Sequence, residues 1–79
     1  MTNNTDNKPR RIDLVKFTEV LTAQIIFAPK YGIDRFVVMF IDADDIIIYE
    51  AEALSERGAR TAMYTYYNKL RLNKPAEEV

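Results

Sequence analysis

The chain contains no cysteine and no histidine. The first absence excludes disulfide staples and thiolate metal sites; the second excludes imidazole ligands and the commonest general acid–base side chain. Serine occurs only at Ser55. With no histidine to activate it, and placed just ahead of a helical pattern, this hydroxyl suits a helix cap better than a nucleophile. No apolar run approaches the ~18 residues of a membrane span, and residues 1–7 lack the apolar stretch of a secretory signal. The composition therefore predicts a cytoplasmic protein with no cofactor, no metal, no membrane association and no small-molecule substrate. At 79 residues it is a single domain whose fold must rest on packing, and on oligomerisation where packing falls short.

What the chain does have is one long apolar block. Arg35-Phe-Val-Val-Met-Phe-Ile41 is turned by Asp42-Ala-Asp-Asp45 and answered by Ile46-Ile-Ile-Tyr49. This reads as a β-hairpin without the apolar–polar alternation of a strand that has one side in water. Either a two-residue turn or a four-residue loop pairs Ile41 with Ile46, and one face then carries Phe36, Val38, Phe40, Ile47, Tyr49 and Ala51. The other carries Val37, Met39, Ile41, Ile46 and Ile48. The aromatic face is assigned to helices within the chain. The aliphatic face is assigned to a second copy, because a bare apolar sheet face is an aggregation hazard.

The flanking segments supply the expected helices. Leu14, Phe17, Leu21, Ile25 and Ala28 recur at helical spacing and predict an amphipathic helix over 12–28, closed by Pro29 and Gly32; a short third strand at 23–28 is the alternative. The segment after Ser55 places Ala59, Ala62, Met63, Tyr66 and Leu70 on one arc, which predicts a second helix with that arc buried. Gly58 fits the first turn of that helix, or a point where another backbone comes close. The predicted architecture is a small α+β domain of order helix, β-hairpin, helix, or α-β-β-β-α with the third strand. Residues 11–72 form the domain, between flexible tails at 1–10 and 73–79.

The net charge of -1 conceals segregation along the chain. Between Asp34 and Glu56 seven acidic residues stand against Arg35 alone, and between Arg57 and Lys74 there are five basic residues and no acid. On the helix after Ser55, the side opposite the apolar arc carries Arg57, Arg60, Tyr64, Asn68 and Arg71. Guanidinium forks, a tyrosine able to stack and an amide would suit phosphates or an acidic protein surface, although a solvated helix face has a similar composition. The second candidate is the acidic hairpin tip, Asp42, Asp44 and Asp45.

Two short resemblances accompany these features. Phe40-Ile-Asp-Ala-Asp-Asp45 resembles the strand-end Asp-x-Asp that holds a divalent cation in several phosphate-handling enzymes, but the turn offers a fraction of the oxygens such an ion needs. Ala51-Glu-Ala-Leu-Ser-Glu-Arg-Gly-Ala-Arg60 resembles the strand-to-helix junction of double-stranded-RNA-binding domains. There, small-x-small-x-Ser precedes two basic residues, an Ala and a further basic residue. The resemblance covers ten residues and implies that Arg57 and Arg60 would contact phosphate. The sequence departs from it where Ala51 and Ala53 stand for glycines and Glu56 for a lysine, and in its apolar outer sheet face. The reading that fits the whole chain is a non-catalytic regulator, an inhibitor or adaptor of the kind found among mobile-element accessory proteins. It would act as a homodimer that occupies a protein surface, with nucleic-acid binding through the basic stripe as the alternative.

Overall fold

The computed structural model describes residues 8–72, so the expected tails at 1–10 and 73–79 lie outside the described residues except for residues 8–10, of which Arg10 begins the first strand. The elements are β1 (Arg10–Thr18), β2 (Leu21–Phe27), β3 (Phe36–Asp42), β4 (Ile47–Ala53) and α1 (Glu56–Leu72). The strands form one antiparallel sheet in the order β1-β2-β3-β4. The class is α+β, with a four-stranded meander and one C-terminal helix on one face.

The expected helix over 12–28 is replaced by the β1–β2 hairpin, and the short-strand alternative at 23–28 overlaps β2, which starts two residues earlier and ends at Phe27. Residues 12–27 are dense in β-branched and aromatic side chains, which suit a pleated surface better than a helix. From Asp13 to Thr18 the exposure alternates, with Asp13, Val15 and Phe17 half-buried and Leu14, Lys16 and Thr18 exposed. Register shifts at Ile12 and Phe17 interrupt the period of two and bring apolar residues to helix-like separations. The turn at Glu19-Val20 is held by Thr18, whose Oγ1 accepts a hydrogen bond from the Val20 N–H at 3.1 Å. Each expected helix order is corrected by this hairpin: the sheet gains two strands over the first order and one over the second, and among the described residues α1 is the one helix on its aromatic face.

The second hairpin forms with a different loop. The Asp42 N–H donates to the Ile46 carbonyl and the Asp45 N–H to the Asp42 carbonyl, both at 3.0 Å, which encloses Ala43-Asp44-Asp45. Asp45 takes the left-handed conformation at φ 66° that closes such a loop. Ile41 consequently pairs with Ile47 and Phe40 with Tyr49, across a register shift. Most of β4 slides by two residues from the expected pairing, an even number, so Phe36, Val38, Phe40, Tyr49 and Ala51 keep the shared face predicted for them. At the shift the assignment changes: Ile47 joins the outer face with Ile41, Ile48 borders a groove beside Tyr67 and Leu70, and Ile46 belongs to the turn.

Between β2 and β3, Lys30 and Ile33 exchange backbone hydrogen bonds of 2.9 and 3.0 Å around Tyr31 (φ 54°) and Gly32 (φ 76°). Two successive positive φ values make this a type I′ turn, which suits Gly32 and places Tyr31 in a conformation that side chains disfavour.

The helix starts where Ser55 dictates. Its Oγ accepts the Gly58 N–H at 3.0 Å, and the first helical bond runs from the Ala59 N–H to the Ser55 carbonyl. Gly58 lies in the first turn, where an added Cβ would stand 3.2 Å from Ser55 Oγ and 3.3 Å from Ala53 Cβ. Ala59 and Met63 are buried against Ala23, Ile25, Val38 and Phe40. Around this centre Phe40 meets Phe17, Tyr66 and Tyr49 at ring separations of 5.7, 4.8 and 6.0 Å, while Tyr66 stacks on Tyr49 at 3.7 Å and Phe17 on Tyr67 at 4.2 Å. Phe40→Ala is expected to cost about 3–5 kcal/mol, comparable with the whole stability of a small domain. Urea unfolding should find the variant largely unfolded in buffer; a loss under ~1 kcal/mol would show that the ring is not the centre of the packing.

Candidate interaction surface on the C-terminal helix

Burying Ala59, Met63 and Tyr66 turns the opposite side of α1 outward. Glu56, Arg57, Arg60, Thr61, Tyr64, Thr65 and Asn68 line a shallow trough of about 690 Å³ along the helix. The structure thus brings together four of the five stripe residues. Arg71 lies one turn farther on, beside a mostly apolar groove of about 410 Å³ between the helix end and the tips of both hairpins.

The stripe is not uniformly available. Arg60 donates to Asp13 on β1 and also grips Glu56 Oε2 through Nη2 at 2.6 Å and Nε at 3.2 Å. Two carboxylates therefore neutralise this guanidinium and fix its direction. Arg71 donates to Asn68 Oδ1 at 3.1 Å and rests against the Tyr67 ring, 5.6 Å from its centroid. Tyr64 meets the edge of Phe17 at 5.6 Å but stays 47% exposed. Among the described residues, Arg57 has no ion-pair partner. Arg57 and the exposed part of Tyr64 are the stripe's freest anchors.

The acidic tip is organised by its own backbone. Asp42 Oδ1 accepts the N–H groups of Asp44 and Ile46 at 2.9 and 3.0 Å, so this carboxylate builds the loop. Asp44 and Asp45 remain exposed. Among the described residues no group of three or more acidic side chains is arranged to hold a metal ion, and no helix is long and apolar enough to cross a membrane.

Sequence reasoning missed the two carboxylates that engage Arg60. The i,i+4 spacing of Glu56 and Arg60 was a readable signal. Asp13 became a partner only once residues 12–18 formed a strand beside the helix. The strand-to-helix junction resembling that of double-stranded-RNA-binding domains does form, with Ser55 at the turn. Among the described residues the element order lacks that family's first helix, however, and one of the two implied phosphate contacts, Arg60, is held by acids. Compared with family models, curated proteins and solved structures, the chain finds no match in any of the three.

The Arg60 hydrogen bond, followed by that from the Leu14 N–H, holds the Asp13 carboxyl below its ordinary value of 3.8. The unfolded chain therefore takes up this proton at a higher pH than the folded one. Stability from Asp13 is present above the ordinary value and is lost as pH falls through the lowered folded value. Urea unfolding of wild type and Asp13→Asn from about pH 6 to about pH 2 should show a less stable variant at the upper end and convergence at the lower. Parallel acid limbs would remove Asp13 from this role.

Proposed function

We propose that the protein is a non-catalytic, cytoplasmic regulator that acts as a homodimer by occupying a surface of another macromolecule through the outward side of α1. The observation that carries this reading is the open trough, in which an Arg57 without an ion-pair partner among the described residues and a half-exposed Tyr64 flank an Arg60 already fixed in direction. Arginine and tyrosine on a rigid helix are the residue types that anchor protein interfaces. Neutralisation of Arg60 leaves little net positive charge on the upper stripe, which favours a protein surface held by packing and hydrogen bonds over a phosphate backbone. A non-catalytic role is supported by the uses of the polar groups: Ser55 caps the helix and Asp42 builds a loop. The homodimer is supported by the outer sheet face, which α1 leaves uncovered and on which Met39 and Ile41 stay partly exposed.

The surface is tested by immobilising the protein, passing a cytoplasmic lysate over it with and without nuclease, and repeating the capture with Arg57→Glu/Tyr64→Ala. A discrete protein retained by wild type after nuclease and reduced about tenfold or more by the double substitution is expected. Equal capture by both forms would reject the helix surface. Nucleic acid that nuclease removes, with binding that falls steeply as salt rises, would replace the protein target with the nucleic-acid alternative.

The homodimer is tested separately by sedimentation. Wild type should pass from monomer to dimer with rising concentration, and Met39→Glu should remain monomeric and folded by circular dichroism. A wild type still monomeric at about 1 mM would remove the homodimer from the proposal while leaving the helix surface standing.

A further inference from the structure

The uncovered sheet face carries a charge pattern across its strands. Arg11 and Lys16 project from β1 on this side, opposite Ile26 and Thr22 of β2. Glu50 and Glu52 project from β4, opposite Met39 and Val37 of β3. Between the basic and acidic margins runs a band of Ile26, Val37, Met39 and Ile41, joined on β2 by the polar Thr22 and Gln24. Val37 is 9% exposed and Arg35 bridges to Glu52 at 3.0 Å, but among the described residues no layer lies over the band. Among the described residues, Arg11, Lys16 and Glu50 have no ion-pair partner.

Resting on the homodimer reading above, we propose that a second copy covers this face about a two-fold axis parallel to the strands, so that β1 of each copy lies over β4 of the other. Such an axis exchanges left and right across the sheet but preserves position along the strands. It brings the row containing Arg11 over the row containing Glu52, sets Lys16 within a side chain's length of Glu50, and superposes the two apolar bands. The other in-plane axis, running across the strands, would set β1 on β1 and β4 on β4 and oppose like charges at both margins. Electrostatics therefore selects the first arrangement. It also matches the aligned packing that twisted sheets adopt, at about 30° and ~10 Å apart.

The face spans four strands at about 4.8 Å spacing and some seven residues at about 3.4 Å rise, or roughly 20 by 20 Å in projection. This is below the standard size of specific interfaces and fits a weak, transient dimer, whose affinity the area alone does not set. The assembly is four layers deep, with each α1 on an outer surface and its trough free.

Charge reversal tests the arrangement, because a two-fold pairing of opposite margins can be broken in each chain and restored by mixing. Arg11→Glu/Lys16→Glu leaves both margins acidic, and Glu50→Lys/Glu52→Lys leaves both basic. Each variant alone should dimerise about tenfold or more weakly than wild type in sedimentation at low salt. An equimolar mixture should form a heterodimer close to wild-type affinity, and high salt should shrink these differences. Circular dichroism and thermal unfolding report whether each chain folds. Should a double variant fail to fold, the single changes Lys16→Glu and Glu50→Lys test the same pairing with the Arg35–Glu52 bridge intact. A wild-type dimer that each variant forms equally well would overturn the proposed axis while leaving dimerisation in place; a monomeric wild type would overturn both.

Discussion

The structure depends on the packing of one phenylalanine. Phe40 lies at the middle of β3, fully buried, with Phe17 from β1, Tyr49 from β4 and Tyr66 from α1 around it. Through these rings it connects both hairpins to the helix. In a chain without cysteine, such a contact has to perform the tethering that a crosslink performs in other small domains. Offset and edge-to-face aromatic pairs suit that task because they combine large buried area with preferred geometry, and they resist the slippage that an all-aliphatic layer would tolerate. Tyr49, Tyr66 and Tyr67 are half-buried, so the cluster reaches from the core to the domain surface.

Around this centre the charged residues divide into two groups. One group works within the chain: Asp13, Glu56 and Arg60 fasten the helix's first turns to the edge strand, and Arg35 spans from the Ala28 carbonyl to Glu52 across the open end of the sheet. The second group, including Arg57, Lys16, Arg11 and Glu50, is left over after the fold has formed. The strong segregation of charge along the sequence is therefore a poor guide to what is available for partners. A position counts toward recognition only after its intramolecular pairing is known.

The same distinction explains how far the sequence could be read. The C-terminal helix was legible because its apolar period, its serine cap and its early glycine all agree. The faces of the second hairpin were legible because parity survives an even slip of register, and Ile47 and Ile48 were misplaced only where the bulge breaks that parity. The N-terminal half was not legible. Bulges at Ile12 and Phe17 disrupt strand alternation, and Leu14, Phe17, Leu21, Ile25 and Ala28 then satisfy helical spacing by coincidence, although Leu14 faces away from the helix and Phe17 toward it. Once that segment was assigned to a helix, Asp13 could not be foreseen as a partner of Arg60. Four of the five stripe residues share one side of α1 and Arg71 lies apart from them, while the charge read for the stripe was too high because Asp13 and Glu56 engage Arg60.

The meander has a consequence for synthesis. Every strand pairs with its neighbour in sequence, so the sheet can assemble hairpin by hairpin as the chain leaves the ribosome, with short loops to close and no wait for distant segments. The one layer that covers Phe40 comes last. A sheet formed before α1 docks presents its aromatic side to solvent as well as the apolar band on its reverse, so the docking of residues 56–72 sets how long that surface stays open.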